Sequence, residues 1–381
     1  MLRLALEYIR PGTVLGKEVF DVDGRTLLAA GAALTEKNLE VLRQRGVAYL
    51  FVRNPQIQLP PVEEVIEESV RLKTVKAVKK VYEDVAKKGV FDLPDESRKL
   101  VGTIIRDLMA DRSVVLHLAH IDRHQDDLFA HSVNVAILST MTAVSLGQYA
   151  SHDLYKIAIG AVFHDIGYSL MPKRTAGTAA PSAKDAEELK AHATYGFELL
   201  RRVREFPLLA AHIALQHHER ADGTGFPRKL KGDGIHPFSR IVALANEYDN
   251  LVTGRFNKRG MAAHAAYEQI VAMSTTLFDP EVAEAFLAKI ALYPTGAFVR
   301  LTNGDVGVVT GVTPRIQHRP KLRIVKSARG FVGGESVEID LSRQENLTLF
   351  VDAVLSDGEV AALLEAAARS GKGASPGTGI R

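Results

Sequence analysis

Thirteen histidines occur in this 381-residue chain, and five of them, His131, His164, His192, His217 and His218, stand where they could act together. Neutral imidazole is a good ligand for iron, manganese, zinc and related ions. His131 lies in an apolar, helix-periodic stretch with Val135 four residues on and Leu138 seven on, so its side chain should point inward. A single inward histidine is more often a hydrogen-bonded core residue than a ligand. His164-Asp165 closes a second helical stretch that begins near Asp153, and Gly167 is placed to allow a sharp exit. An imidazole and a carboxylate side by side at a helix end can face one cavity. The two oxygens of Asp165 could then bridge two ions at roughly 3.5–4 Å, the spacing of two-metal hydrolytic centres. A His-Asp pair alone is common and carries little. His217-His218 is followed by a run to Pro227 that includes Gly223 and Gly225. Adjacent helical residues point about 100° apart, so both imidazoles reach one site only near a helix end, which those residues supply. A polar surface turn would account for the glycines and the proline but not for the paired histidines.

In order along the chain, these pieces are His-Ser-Val-Asn-Val-Ala at 131–136, His-Asp-Ile-Gly at 164–167, His192 before Gly196, and His-His-Glu-Arg-Ala-Asp-Gly-Thr-Gly-Phe-Pro at 217–227. Together they resemble the HD-GYP family, the bacterial HD-superfamily phosphohydrolases that cleave cyclic di-GMP. Ser239 to Asp249 looks like the family's later helix, so the resemblance covers about residues 95–294. It implies an HD-type helical bundle with two divalent ions, iron or manganese, in which His164 and Asp165 are central to catalysis. His131, His164, Asp165 and Asn246 would hold one ion. Asp165, as the bridge, would join His192, His217 and His218 around the other. Asp127, four residues before His131, matches an acid that reaches a third ion in some members, and suits a solvated charge equally well. Arg255 and Lys258 match basic phosphate-contacting positions and, three apart, would share a helix face. Tyr168, Gly225 and Phe226 would complete the substrate site. The implied reaction opens cyclic di-GMP to linear pGpG, with GMP after a second round.

Three positions depart from the family. Asn246 stands where an aspartate is usual, and its amide oxygen brings no negative charge, so the first ion should bind more weakly. Asp249, one turn on, is an acid in family members too and is not an obvious replacement. Tyr168 stands where lysine is usual, which removes a phosphate-directed cation but leaves a hydrogen-bond donor. Phe226 replaces the tyrosine that names the subgroup and keeps the ring. An alternative follows from the first two: a metal-loaded or metal-poor module that senses a cyclic dinucleotide, or a partner, without turnover.

The elements that must position these residues are mainly helical. Residues 94–294 read as the all-helical metal-binding bundle, interrupted by a loop rich in Pro, Gly, Ala, Ser and Thr from Lys173 to Lys184. Residues 1–54 read as a small α/β unit, with an Asp23-Gly24 hairpin, a helix from Thr35 to Gln44 ended by Gly46, and a strand over Val47–Val52. Residues 55–93 read as a connector: Pro55, Pro60 and Pro61, then a charged helix over about 62–88. That helix suits either a solvated linker or a homodimer contact. Residues 295–355 switch to a period of two and predict five strands in a small β domain: 298–301, 306–312, 322–325, 337–341 and 347–351. Residues 356–381 predict a short helix from Glu359 to Arg369 and a disordered tail.

Composition narrows the function classes. The formal net charge is +3, from 48 Lys+Arg against 45 Asp+Glu, which argues against a bulk nucleic-acid binder. The chain has no cysteine, which excludes disulfides, thiolate nucleophiles and cysteine-based zinc sites. No uninterrupted apolar run approaches ~20 residues, so no membrane partner and a cytoplasmic location are expected.

Overall fold

The computed structural model describes residues 1–21, 25–45, 47–54, 65–110, 127–172, 183–254, 260–313, 316–327, 330–332 and 337–371. At the N-terminus, β1 (Leu2–Ala5), β2 (Val19–Phe20), β3 (Thr26–Leu28), α1 (Glu36–Gln44) and β4 (Tyr49–Val52) form two antiparallel pairs, β1 with β4 and β2 with β3. The helix start is fixed by Thr35. Its Oγ1 accepts the Asn38 amide at 3.1 Å while Asn38 Oδ1 accepts the Thr35 amide at 3.0 Å, so two otherwise orphaned donors are satisfied. The Asp23-Gly24 turn and Gly46 lie outside the described residues.

The bundle comprises α2 (Glu68–Lys88), α3 (Asp95–Ala110), α4 (Asp127–Leu146), α5 (Ser151–Val162), α6 (Ala183–Leu200), α7 (Leu208–Gln216), α8 (Pro237–Thr253), α9 (Ala263–Met273) and α10 (Pro280–Leu287). Its centre is α4, which packs against α2, α5, α8 and α10. Residues Leu128–Leu146 of α4 have the length and hydropathy of a membrane span, at a mean of 1.4, where the interrupted apolar run predicts none. Neighbouring helices bury 78% of that stretch, which accounts for its apolar faces. Each fully buried Val, Leu or Phe in such a core stabilises it by roughly 1.5–3 kcal/mol. The linker prolines lie outside the described residues, and α2 itself is not a solvated spacer. Val78, Val81, Tyr82 and Val85 of α2 are buried in the same core as α4 and α5, so the apolar face that a coiled coil would need is taken up inside.

The C-terminal part is a six-stranded antiparallel sheet: β5 (Phe298–Leu301), β6 (Val306–Gly311), β7 (Lys321–Ser327), β8 (Gly330–Phe331), β9 (Glu338–Asp340) and β10 (Val351–Val354). The order is β10-β5-β6-β7-β8, with β9 also on β7. The last strand begins at Val351, not Leu347, because a 3-10 turn over Gln344–Asn346 holds that stretch out of the sheet. A final helix, α11 (Asp357–Gly371), follows and packs on β1. The two ends of the chain share one core. Leu2, Leu15, Leu39, Leu42 and Leu50 are buried with Phe298, Val306, Val308, Val325 and Val360. Tyr49 donates its hydroxyl to Asp357 across that contact at 3.0 Å.

Candidate metal centre

Four elements of the bundle converge on one carboxylate. Asp165 lies just past α5, whose helical backbone stops at Val162. Phe163, fully buried, anchors that turn by edge contacts with Phe91 at 5.0 Å and Phe206 at 6.3 Å between centroids. Gly167 is needed for a reason other than a sharp exit. A Cβ there would lie 1.9 Å from the His192 carbonyl oxygen and 2.7 Å from the Gly196 amide nitrogen. The missing side chain therefore lets the turn after Asp165 press directly onto α6 and brings His192 to the carboxylate.

The two oxygens of Asp165 face different histidines. His192 Nε2 and His217 Nε2 each lie 3.4 Å from Oδ1, whereas His164 Nε2 lies 3.5 Å and His131 Nε2 3.8 Å from Oδ2. Two groups of ligand atoms result, each with its members within 4.8 Å of one another: Asp165 with His192, His217 and His218, and Asp165 with His131 and His164. His131, His164, Asp165, His192 and His217 are all at most 2% exposed.

The other ring nitrogens fix the tautomers. His164 Nδ1 donates to the Ala161 carbonyl at 2.7 Å, His217 Nδ1 to the Ala214 carbonyl at 2.9 Å, and His192 Nδ1 to the Leu189 carbonyl. A carbonyl only accepts, so each Nδ1 carries the proton and each Nε2 presents a lone pair. Burial, the largest effect, holds the pKa of His164 well below 6.5; burial followed by the neighbouring His217 and His192 does the same for His218. These two rings are therefore neutral at pH 7. The Nε2 atoms of His192 and His217 lie only 3.2 Å apart, with a carboxylate oxygen beside both. The Nε2 of His164 is buried with no hydrogen-bond partner. Acceptors crowded in this way repel unless a cation lies between them, so the donor set fits divalent metal ions.

Helix α7 ends at Gln216, so His217 caps it and His218 follows outside. The loop beyond is folded back by Glu219, 1% exposed, whose carboxylate accepts the Arg228 amide at 2.8 Å and the Leu230 amide at 2.9 Å. Gly225 lies where a Cβ would be 2.5 Å from the His218 carbonyl oxygen, which places Phe226 over His218, ring on ring at 4.4 Å. Tyr168 stacks on His192 at 4.2 Å and 9° between planes. Its ring therefore walls the site, in addition to the donor expected from its hydroxyl.

Asn246 is buried on α8, 2% exposed, and its Oδ1 accepts from Asn250 Nδ2 at 3.1 Å. Its own Nδ2 has no partner among the described residues. Asp249 is not a substitute ligand. Its Oδ2 lies 2.6 Å from His131 Nδ1 and its Oδ1 accepts from Asn134 Nδ2 at 3.1 Å. Sequence reasoning did not find Asn134, Asn250 or the roles of Glu219 and Asp249. Asp127 begins α4, but its side chain lies outside the described residues, as do Arg255, Lys258 and most of the 173–184 loop.

The chain has recognisable relatives among known proteins. Residues 114–282 match the HD domain family, and residues 298–363 match a KOW domain associated with HD domains. The chain is 28% identical over 268 residues to a cyclic di-GMP phosphodiesterase of Pseudomonas aeruginosa, covering 70% of this chain and 64% of that one. It is 38% identical over 161 residues to a cyclic di-GMP phosphodiesterase of Thermotoga maritima, covering 41% of this chain and 43% of that one. The chain thus spans less than two thirds of the length of either relative. Among solved structures, an HDG"Y"P protein from Bdellovibrio bacteriovorus shares the fold, with a TM-score of 0.50 and 16% identity over 75% of this chain and 98% of that one.

Proposed function

We propose, from the premise that residues 114–282 are an HD domain of the HD-GYP kind, that this chain hydrolyses a phosphodiester bond of a cyclic dinucleotide, cyclic di-GMP foremost. The single observation that carries the reading is the two-sided use of Asp165, one oxygen toward His192 and His217 and the other toward His131 and His164. A carboxylate placed in this way could serve as a ligand to both of two ions. His131, His164 and Asp165, with Asn246 of α8 assigned to them on the family resemblance, would hold one; Asp165, His192, His217 and His218 would hold the other. Imidazole with carboxylate suits iron or manganese. Bound divalent ions supply Lewis acidity and lower the pKa of water.

The chain's own residues set up the rest. The carbonyl-bound Nδ1 atoms keep His164, His192 and His217 in one tautomer and rotation, so the site needs no rearrangement before reaction. The rings of Tyr168 and Phe226 cover His192 and His218 and exclude water from that side. Arg255 and Lys258 are assigned to the phosphate oxygens on the family resemblance, the arginine as a planar fork and the lysine as a point charge. In the reaction one water adds across a P–O bond: its oxygen joins phosphorus, the ring opens, and the departing oxygen takes a proton. The product is linear pGpG, and a second addition gives GMP.

A second reading is favoured by Asn246 and Tyr168, which remove one anionic ligand and one cation from the family pattern: a domain that binds the dinucleotide without turnover. Product chromatography separates the two. Hydrolysis by the natural chain supports the enzyme, whereas hydrolysis only after Asn246→Asp with Tyr168→Lys makes the natural chain a receptor. Mixed cyclic dinucleotides in the same assay define the substrate class.

A further inference from the structure

Three of the ligand histidines are oriented by their own helices, each giving its Nδ1 proton to a carbonyl three residues back. His131 is held differently. Its Nδ1 meets Asp249 Oδ2 at 2.6 Å, and Asp249 comes from α8, 118 residues away. Both groups are at most 1% exposed. The other carboxylate oxygen is fixed by Asn134 Nδ2 at 3.1 Å, and Asn134 is itself on α4, one turn beyond His131. Asp249 therefore closes a ring between two helices: α4 through His131, α8 through its own backbone, and α4 again through Asn134. Among the described residues no lysine or arginine pairs with it. A buried carboxylate without a cation is costly, and its retention calls for compensation by positive charge nearby.

We propose that Asp249 is the positioning residue of the His131 side of the metal centre. This rests on the reading of Asp165 as a bridge between two ions. By accepting the Nδ1 proton, Asp249 holds the His131 ring with Nε2 toward Asp165 and makes that nitrogen a better donor. It acts through His131 and does not itself touch the ion. The same carboxylate ties α4 to α8, so the rotation of His131 is set by the packing of two helices and not by one.

The test uses Mn(II) and the full chain, with ions bound per chain and their affinities read by equilibrium dialysis and elemental analysis. The natural protein should bind two ions. Asp249→Asn keeps the shape and an accepting oxygen but removes the charge, and should weaken one ion by about 10–100-fold while leaving the other unchanged. His131→Ala should weaken the same ion, and adding Asp249→Asn to it should cost little more, because the aspartate acts through the histidine. If Asp249→Asn leaves both affinities unchanged, or if the two losses add independently, the proposal is overturned. If the natural protein takes up no Mn(II), it is the metal-centre reading itself that falls. Should Asp249→Asn not fold, Asn134→Ala carries the test: it leaves the carboxylate present but unanchored. A smaller loss at the same ion is expected, and no loss contradicts the proposal.

Discussion

Single side chains decide how much charge the centre holds. Asn246 donates nothing to the neutralisation of an ion, and its oxygen already accepts from Asn250 at 3.1 Å. Asn246→Asp restores a carboxylate at a site where Asn250 can still donate to it. We expect tighter binding of one of two Mn(II) ions, by about tenfold or ~1.4 kcal/mol, with the other unaffected. Dialysis against limiting Mn(II) measures this, and equal affinity before and after would remove Asn246 from the ligand set. At this scale the sequence was most readable. Histidines and aspartate in a known order identify ligand types without any fold. What it did not reveal is the partner of each ligand. Asp249 meets His131 across 118 residues, and Glu219 binds amides nine and eleven residues on; such pairings exist only once helices and loops have packed.

Elements bring the ligands within reach, and close backbone approach is the device they use. Gly167 looked like a helix terminator, yet its place is fixed by the carbonyl of His192, which lies 1.9 Å from where a Cβ would be. Periodicity reports which face of a helix is buried but not how near a neighbouring backbone comes, so this role was illegible. Gly167→Ala must push the turn off α6. Overpacking of this kind typically costs about 1–3 kcal/mol, and it should also lower metal uptake by moving His192 from Asp165. Thermal unfolding with metal analysis checks both, and a variant with natural Tm and full metal content would contradict the account. The helix beyond the site gives a pH prediction. Asp279 caps α10, accepting the Glu281 and Val282 amides at 3.0 and 3.3 Å and Arg240 at 2.8 Å. Burial alone would raise its pKa, but Arg240 and the two amides outweigh it and hold the pKa below 3.8. A group with a lowered folded pKa stabilises fully above its unfolded value, and that stability is lost as pH falls through the folded one. Asp279→Ala should therefore cost about 1–2 kcal/mol at neutral pH, in line with the loss of a helix cap. In urea unfolding the gap to the natural protein should shrink as pH drops below about 3.8. A gap that stays constant down to acid pH would show that the charge of Asp279 contributes nothing.

At the scale of the whole molecule, the helical bundle is flanked by one composite unit and not by two separate ones. Alternating residues at either end of the chain showed that faces would be buried there, but not that the two faces would cover each other. Leu2, Leu39 and Leu50 close over Phe298, Val306 and Val308. Deleting residues 1–54 should expose that core. Limited proteolysis should then cleave residues 298–371 early while α4 to α8 persist, and unchanged protection of the C-terminal strands would refute the shared core. The bundle with its metal centre remains the part on which function turns. The most direct measurement is a product assay: the full chain, purified without oxygen and loaded with Fe(II) or Mn(II), is given cyclic di-GMP beside an Asp165→Ala control, and products are resolved by ion-exchange chromatography. We expect pGpG or GMP from the natural chain and none from the control, because loss of Asp165 removes the ligand common to both ions. Intact substrate with either metal, or equal turnover by the control, would contradict that expectation.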